Sequence, residues 1–143
     1  MRRARFAEQL ERNQSRALGM FRMVLGLLFA SEGAATLFGV LDRKATPIGE
    51  WPFWYAGLIE LAGGTLVLLG IFTRSSAFIC SGVMAFAYFT EHQPAGIFPL
   101  QNGGLSPALL SWSFLLLVFF GPGSMSISKN SQSADEGRSL HNP

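Results

Sequence analysis

The chain has 143 residues, 49 % of them hydrophobic, with 13 Phe, 14 % charged residues and a net charge of +2. Its charges are segregated: residues 1–22 hold six Arg, whereas residues 105–121 hold no charge at all. That segregation excludes an ordinary soluble domain and indicates a membrane protein, and no aromatic and basic residues interleave as base stacking in a nucleic-acid partner would require.

In chain order, residues 1–19 form a basic arm. A cleavable signal peptide needs a short basic region and a brief apolar core. Here the polar lead is long and the apolar core carries Glu32, which argues against cleavage. Residues 5–18 read either as a surface helix with Phe6, Leu10 and Leu18 turned to lipid, or as a frayed arm. Four apolar segments follow at 20–40, 53–72, 75–91 and 105–121. Each is close to the ~20 residues a helix needs to cross a bilayer core. Pro47 and Pro52 flank the entry to the second, and Thr73-Arg74-Ser75 makes a polar turn before the third. Pro94 ends the third and Gly121-Pro122-Gly123 the fourth. Residues 123–143 read as a disordered polar tail. The expected fold is therefore all-α: a four-transmembrane-helix bundle occupying residues 20–122. Nine Lys and Arg fall on one side and two, Arg43 and Lys44, on the other. The positive-inside rule then puts both termini in the cytoplasm, for a multi-pass protein of the cell inner membrane.

Within these spans, acidic residues are costly. An ionised side chain at a helix centre costs ~2.5–3.5 kcal/mol on insertion scales. Glu32, Glu60 and Glu91 are nonetheless in or at the edge of the apolar segments. Around Glu60, residues three and four away are Ala56, Gly57, Gly63 and Gly64, all small, so this face packs on other helices and Glu60 points inward. Glu32 shares its face with Ala35, Thr36 and Gly39. At 1.5 Å rise per residue, Tyr88 is expected level with Glu60, with Glu91 and His92 a turn further out. Glu60, Tyr88, Glu91 and His92 form a candidate proton relay, and Glu32, Trp112 and Asn102 are the candidates for holding a cofactor. The competing reading is structural: a buried Glu can tie helices together through hydrogen bonds. Arg22, near the cytoplasmic edge, is expected to snorkel or to pair with a carboxylate.

Cys80 is the one cysteine, so the chain cannot run a disulfide relay alone. His92 and His141 are the only histidines and His141 lies in the polar tail, which disfavours a bis-His haem inside one protomer. A single Glu-His pair does not fill a metal's coordination sphere, so no metal site is expected.

Four stretches carry a family resemblance: "FRMVLGLLFASEGAATLFG", "YAGLIELAGGTLVLLGIFTR", "AYFTEHQPAGIFPLQNGG" and "FLLLVFFGPGSMSI". In that order and spacing they resemble the DoxX family of small membrane proteins, over roughly residues 18–128. The resemblance marks Arg22, Glu60, Arg74, His92, Pro99 and Asn102 as family-like positions. Glu32 and Thr36 stand where many members carry His and Lys, and the run Gly103-Gly104-Leu105-Ser106 lacks the Glu that often follows Asn-Gly-Gly. Some DoxX-like proteins resemble the small subunit of a thiosulfate:quinone oxidoreductase. Others look like anchors that gather a superoxide dismutase and a thiosulfate sulfurtransferase. The resemblance thus implies redox homeostasis at the membrane.

Three functions are compatible with these residues. The first is a subunit of a membrane redox complex, in which this chain supplies a quinone site and proton carriers while a partner supplies electrons. A non-catalytic scaffold for soluble redox enzymes, docking them on its basic arm and polar tail, is the alternative. A small proton-coupled carrier is third, weakened by the absence of inverted halves with broken helices. Homo-oligomerisation is compatible with all three.

Overall fold

The computed structural model describes the backbone of residues 2–127. It is all helical, with no strand among the described residues. Helix α1 spans Arg2–Phe38, α2 Phe53–Leu69 and α3 Thr73–Ala87. A π turn (Tyr88–His92) and a 3-10 turn (Gln93–Ala95) continue α3, the short α4 spans Pro99–Asn102, and α5 spans Leu105–Phe120. The four apolar segments thus become α1, α2, α3 with its π turn, and α5. From Asn13 to Phe38, α1 is long and apolar enough to cross a membrane, while α2 and α5 are shorter apolar helices. The basic arm does not break away from α1, which runs unbroken from Arg2. Leu18, expected to face lipid, packs instead against the buried core.

The helices associate as two close pairs. The α1–α2 pair is held by glycines two turns apart on each partner: Gly26 and Gly33 on α1, Gly57 and Gly64 on α2. A Cβ on Gly33 would lie under 3.0 Å from the Leu61 nitrogen and the Gly57 carbonyl oxygen. On Gly64 it would meet the backbone of Ala30 and Gly26 as closely. Backbone therefore rests on backbone, which only small residues permit in a membrane-type interface. In the α3–α5 pair the contact is polar. Ser81 Oγ donates to the Ser111 carbonyl at 2.9 Å and Ser111 Oγ returns a bond to the Ser81 carbonyl at 3.1 Å. The two pairs meet through larger side chains, with Phe29 and Phe114 edge to face at 4.6 Å between centroids. Leu25, Val67, Cys80, Met84 and Leu117 complete that core.

At the end of the bundle where α2 turns into α3, the chain after α5 crosses back as a strap. Gly121 and Gly123 have φ of 79° and 68°, the left-handed backbone this reversal needs. Ser124 then donates both its N–H and its hydroxyl to the Ser15 carbonyl, at 3.0 and 3.1 Å. Of the expected polar tail, residues 128–143 lie outside the described residues.

Candidate functional site

Glu60 sits in the middle of α2 and is 8 % exposed. Its burial follows from helical spacing. Gly57 and Gly64 face α1, whereas Gly63 faces α3, where an added Cβ would meet Cys80 Sγ at 2.5 Å. Glu60 lies between these two glycine stripes and so points into the bundle centre, on the same side of α2 as the fully buried Val67. It is within Coulombic range of Glu32, Arg43 and Cys80.

Glu32 is placed differently from the inward-facing position expected of it. Its carboxylate accepts a bond from Arg43 Nη2 at 3.0 Å, and both side chains are about half exposed, at 46 % and 55 %. Arg43 reaches it because the connection after α1 doubles back. Gly39 ends the helix with a φ of 67°, and Thr46 N–H bonds to the Thr36 carbonyl at 2.8 Å. Among the described residues this is the one ion pair. Two carboxylates, one buried and one half-exposed, thus share the field of a single guanidinium.

Tyr88, His92 and Asn102 belong to a second cluster. The Tyr88 hydroxyl donates to the Ile97 carbonyl at 2.7 Å. Asn102 Nδ2 donates to the Gly96 carbonyl at 2.7 Å and lies 3.4 Å from the Tyr88 hydroxyl, while its Oδ1 accepts the Gly104 N–H at 2.8 Å. His92 Nδ1 lies 3.2 Å from the Asn102 carbonyl oxygen. These bonds pin the 93–104 connection back onto α3. Gly104 is needed there because a Cβ would strike His92 and Tyr88 at 2.8 Å. None of these hydrogen bonds runs to Glu60. The π turn presents Tyr88 and His92 to Asn102, and Glu91 beside them is exposed. Trp112 is 72 % exposed on the outer face of α5. No group of three or more His, Cys, Asp or Glu stands close enough to hold a metal ion among the described residues.

Arg22 makes neither the surface excursion nor the carboxylate pair expected of it. It is fully buried, donating from Nη1 to the Val67 carbonyl at 3.2 Å and from Nη2 to the Met125 carbonyl at 2.9 Å. Its guanidinium sits against Gly70, the left-handed cap of α2, in place of a side chain there. The negative end of the α2 dipole and two carbonyls thus take the place of a counter-ion. Arg22 thereby ties α1, α2 and the strap together.

The DoxX family pattern matches residues 17–93, more than half of the chain and all of the residues around Glu60. The chain belongs to the DoxX family. A protein of Haemophilus influenzae described as uncharacterised is 35 % identical over 82 % of this chain and 92 % of its own length. An uncharacterised membrane protein of Mycobacterium tuberculosis is 29 % identical over 76 % of this chain and 77 % of its own. No solved structure matches. As a DoxX-family chain, the protein is a membrane protein whose bundle sits in the lipid bilayer. The outward-facing Phe78, Leu109, Trp112 and Phe119, all more than half exposed, suit a lipid solvent.

Proposed function

We propose that this DoxX-family chain crosses the inner membrane four times with both termini cytoplasmic. In this reading it is the membrane subunit of a redox-homeostasis complex and handles protons at Glu60 for a quinone. The observation that carries the reading is the burial of a carboxylate between two glycine stripes, with Glu32 and one guanidinium in its field. Conformation supports the four spans: helical backbone runs from Thr73 to Ala95, and α1, α2 and α5 are apolar helices. The nine-to-two distribution of Lys and Arg supports the orientation.

For quinone, an apolar groove of about 320 Å³ between α2 and α3, lined by Trp51, Tyr55, Ile59 and Phe86 among others, offers flat aromatic walls. Ile59 on that wall is the chain neighbour of Glu60. Tyr88 and His92 are then loop-positioning residues, and Glu91, Trp112 and Asn102 stand outside the chemistry. Electrons come from a partner protein.

Isotope-edited infrared spectroscopy on nanodiscs, comparing wild type with Glu60→Gln, tests the reading. The expected result is a Glu60 carboxyl band that shifts when quinone is added. A band indifferent to quinone refutes the proton site. The scaffold reading, favoured by the structural use of Tyr88, His92 and Asn102, then takes its place. Soluble enzymes such as a superoxide dismutase or a sulfurtransferase would dock on the basic arm and the polar tail. A scaffold keeps its function in Glu60→Gln and loses it when residues 128–143 are removed.

A further inference from the structure

We infer that the strap end of the bundle carries a binding site for one anionic phospholipid, with Arg74 holding its phosphate. The site is a groove of about 820 Å³ between α1, the start of α3 and the end of α5. Its walls are graded. Gln14, Ser15 and Arg74 give it a polar end, and Leu18, Phe21, Leu116 and Phe120 give it apolar sides. That gradient follows the sequence: the polar part of α1 gives way to the apolar part between Ser15 and Leu18. The groove therefore straddles the boundary at which a lipid head meets its chains.

Charge selects the head. Among the described residues Arg74 is the one charged residue lining the groove, and the described ion pair lies elsewhere, between Arg43 and Glu32. The guanidinium lies over Gly121, where a Cβ would be 3.3 Å from both Nε and Nη2, so the glycine cap of α5 leaves it room. A planar guanidinium beside an apolar groove suits a phosphate diester, which it can bind through paired N–H donors. The volume is in the upper part of the ~300–1,000 Å³ range of ligand sites. Phe21 and Phe120 are 39 % and 68 % exposed, leaving apolar surface for an acyl chain to cover.

The site rests on the four-span reading, in which this end meets the cytoplasmic leaflet, where anionic lipids attract basic residues. The test uses the full chain in nanodiscs of neutral lipid doped with spin-labelled phosphatidylglycerol or phosphatidylcholine. Wild type should immobilise the anionic label more than the neutral one, with about five-fold of that preference contributed by the single basic residue of the groove. Arg74→Gln should lower the preference about five-fold, Arg74→Lys should retain part of that difference, and Arg43→Gln at the opposite end should leave it unchanged. A photo-reactive residue at Leu116 should yield a lipid adduct. Equal preference in wild type and Arg74→Gln overturns the site, as does a Leu116 crosslink to residues 128–143 instead of lipid. Failure of the chain to enter the nanodisc at all would refute the four-span reading instead, which separates the two.

Discussion

Replacing Gly33 by Ala adds one methyl group at the closest point of the α1–α2 interface. The new Cβ would stand under 3.0 Å from the Leu61 nitrogen, the Gly57 carbonyl oxygen and the Glu60 carbonyl carbon. All three are backbone atoms, so no rotamer change relieves the contact and the helices must part. Overpacking of this kind costs about 1–3 kcal/mol, and the rigid surroundings put Gly33 at the upper end. Against that, Ala is the better helix former by about 0.5–1 kcal/mol. The net expectation is a loss of about 2 kcal/mol. Gly82 supplies the control, because it lies within α3 with nothing inside 4 Å of an added Cβ. Gly82→Ala should be neutral or should stabilise by up to about 1 kcal/mol. Both variants can be unfolded reversibly in mixed micelles while helicity is followed by circular dichroism. Equal stability of Gly33→Ala and wild type, or a comparable loss in Gly82→Ala, would refute the backbone-on-backbone packing.

Arg22→Met should cost about 2–4 kcal/mol, because it removes two charge-assisted bonds, one to the Val67 carbonyl, which keeps the Gly70 N–H, and one to the Met125 carbonyl; proteolysis within residues 121–127 should accelerate with it. Asn102→Ala removes the side-chain bonds to the Gly96 carbonyl and the Gly104 N–H, worth about 1–3 kcal/mol together. Hydrogen exchange over residues 96–104 should rise while α1 and α2 stay protected. Ser81→Ala and Ser111→Ala should be non-additive, with a coupling energy of about 0.5–1 kcal/mol in a double-mutant cycle, since the two hydroxyls also lie 3.3 Å apart in hydrogen-bond contact with each other.

The helices themselves were legible because apolar length and punctuation act locally. Proline and glycine mark the ends near the predicted boundaries, so 53–72 became Phe53–Leu69 and 105–121 became Leu105–Phe120. The inward face of α2 was equally plain, since Gly57, Gly63 and Gly64 bracket Glu60 at helical spacing. Its partner face was missed. Gly26 and Gly33 stand two turns apart, matching Gly57 and Gly64, and this repeat could have paired α1 with α2 before any coordinates. The two polar clusters were harder to see. Equal depth on adjacent helices suggested that Glu60 and Tyr88 would meet, but depth says nothing about which way each side chain points, and the Tyr88 hydroxyl bonds the Ile97 carbonyl. Arg43 could not be assigned to Glu32 because a doubled-back connection depends on left-handed turns at Leu41 and Asp42, with φ of 57° and 59°. Arg22 escaped for another reason. Its partners are carbonyls, which every residue has and no sequence pattern advertises.

That last point separates the family-like positions by what they do. Arg22 and Asn102 bond mainly to backbone, and each closes one end of the bundle. A residue with such a task is intolerant of substitution whether or not the protein performs chemistry. Arg74 and Glu60 differ, because no ion pair engages either among the described residues. A buried acid without an ion-pair partner costs stability that an apolar residue on the same glycine-lined stripe would not. Packing alone would favour Leu or Val at residue 60, as it has Val at residue 67 one heptad further on. The argument for function at Glu60 therefore does not depend on any relay to Tyr88 or His92. It depends on the difference between two neighbouring positions of one stripe, one filled as packing prefers and the other not.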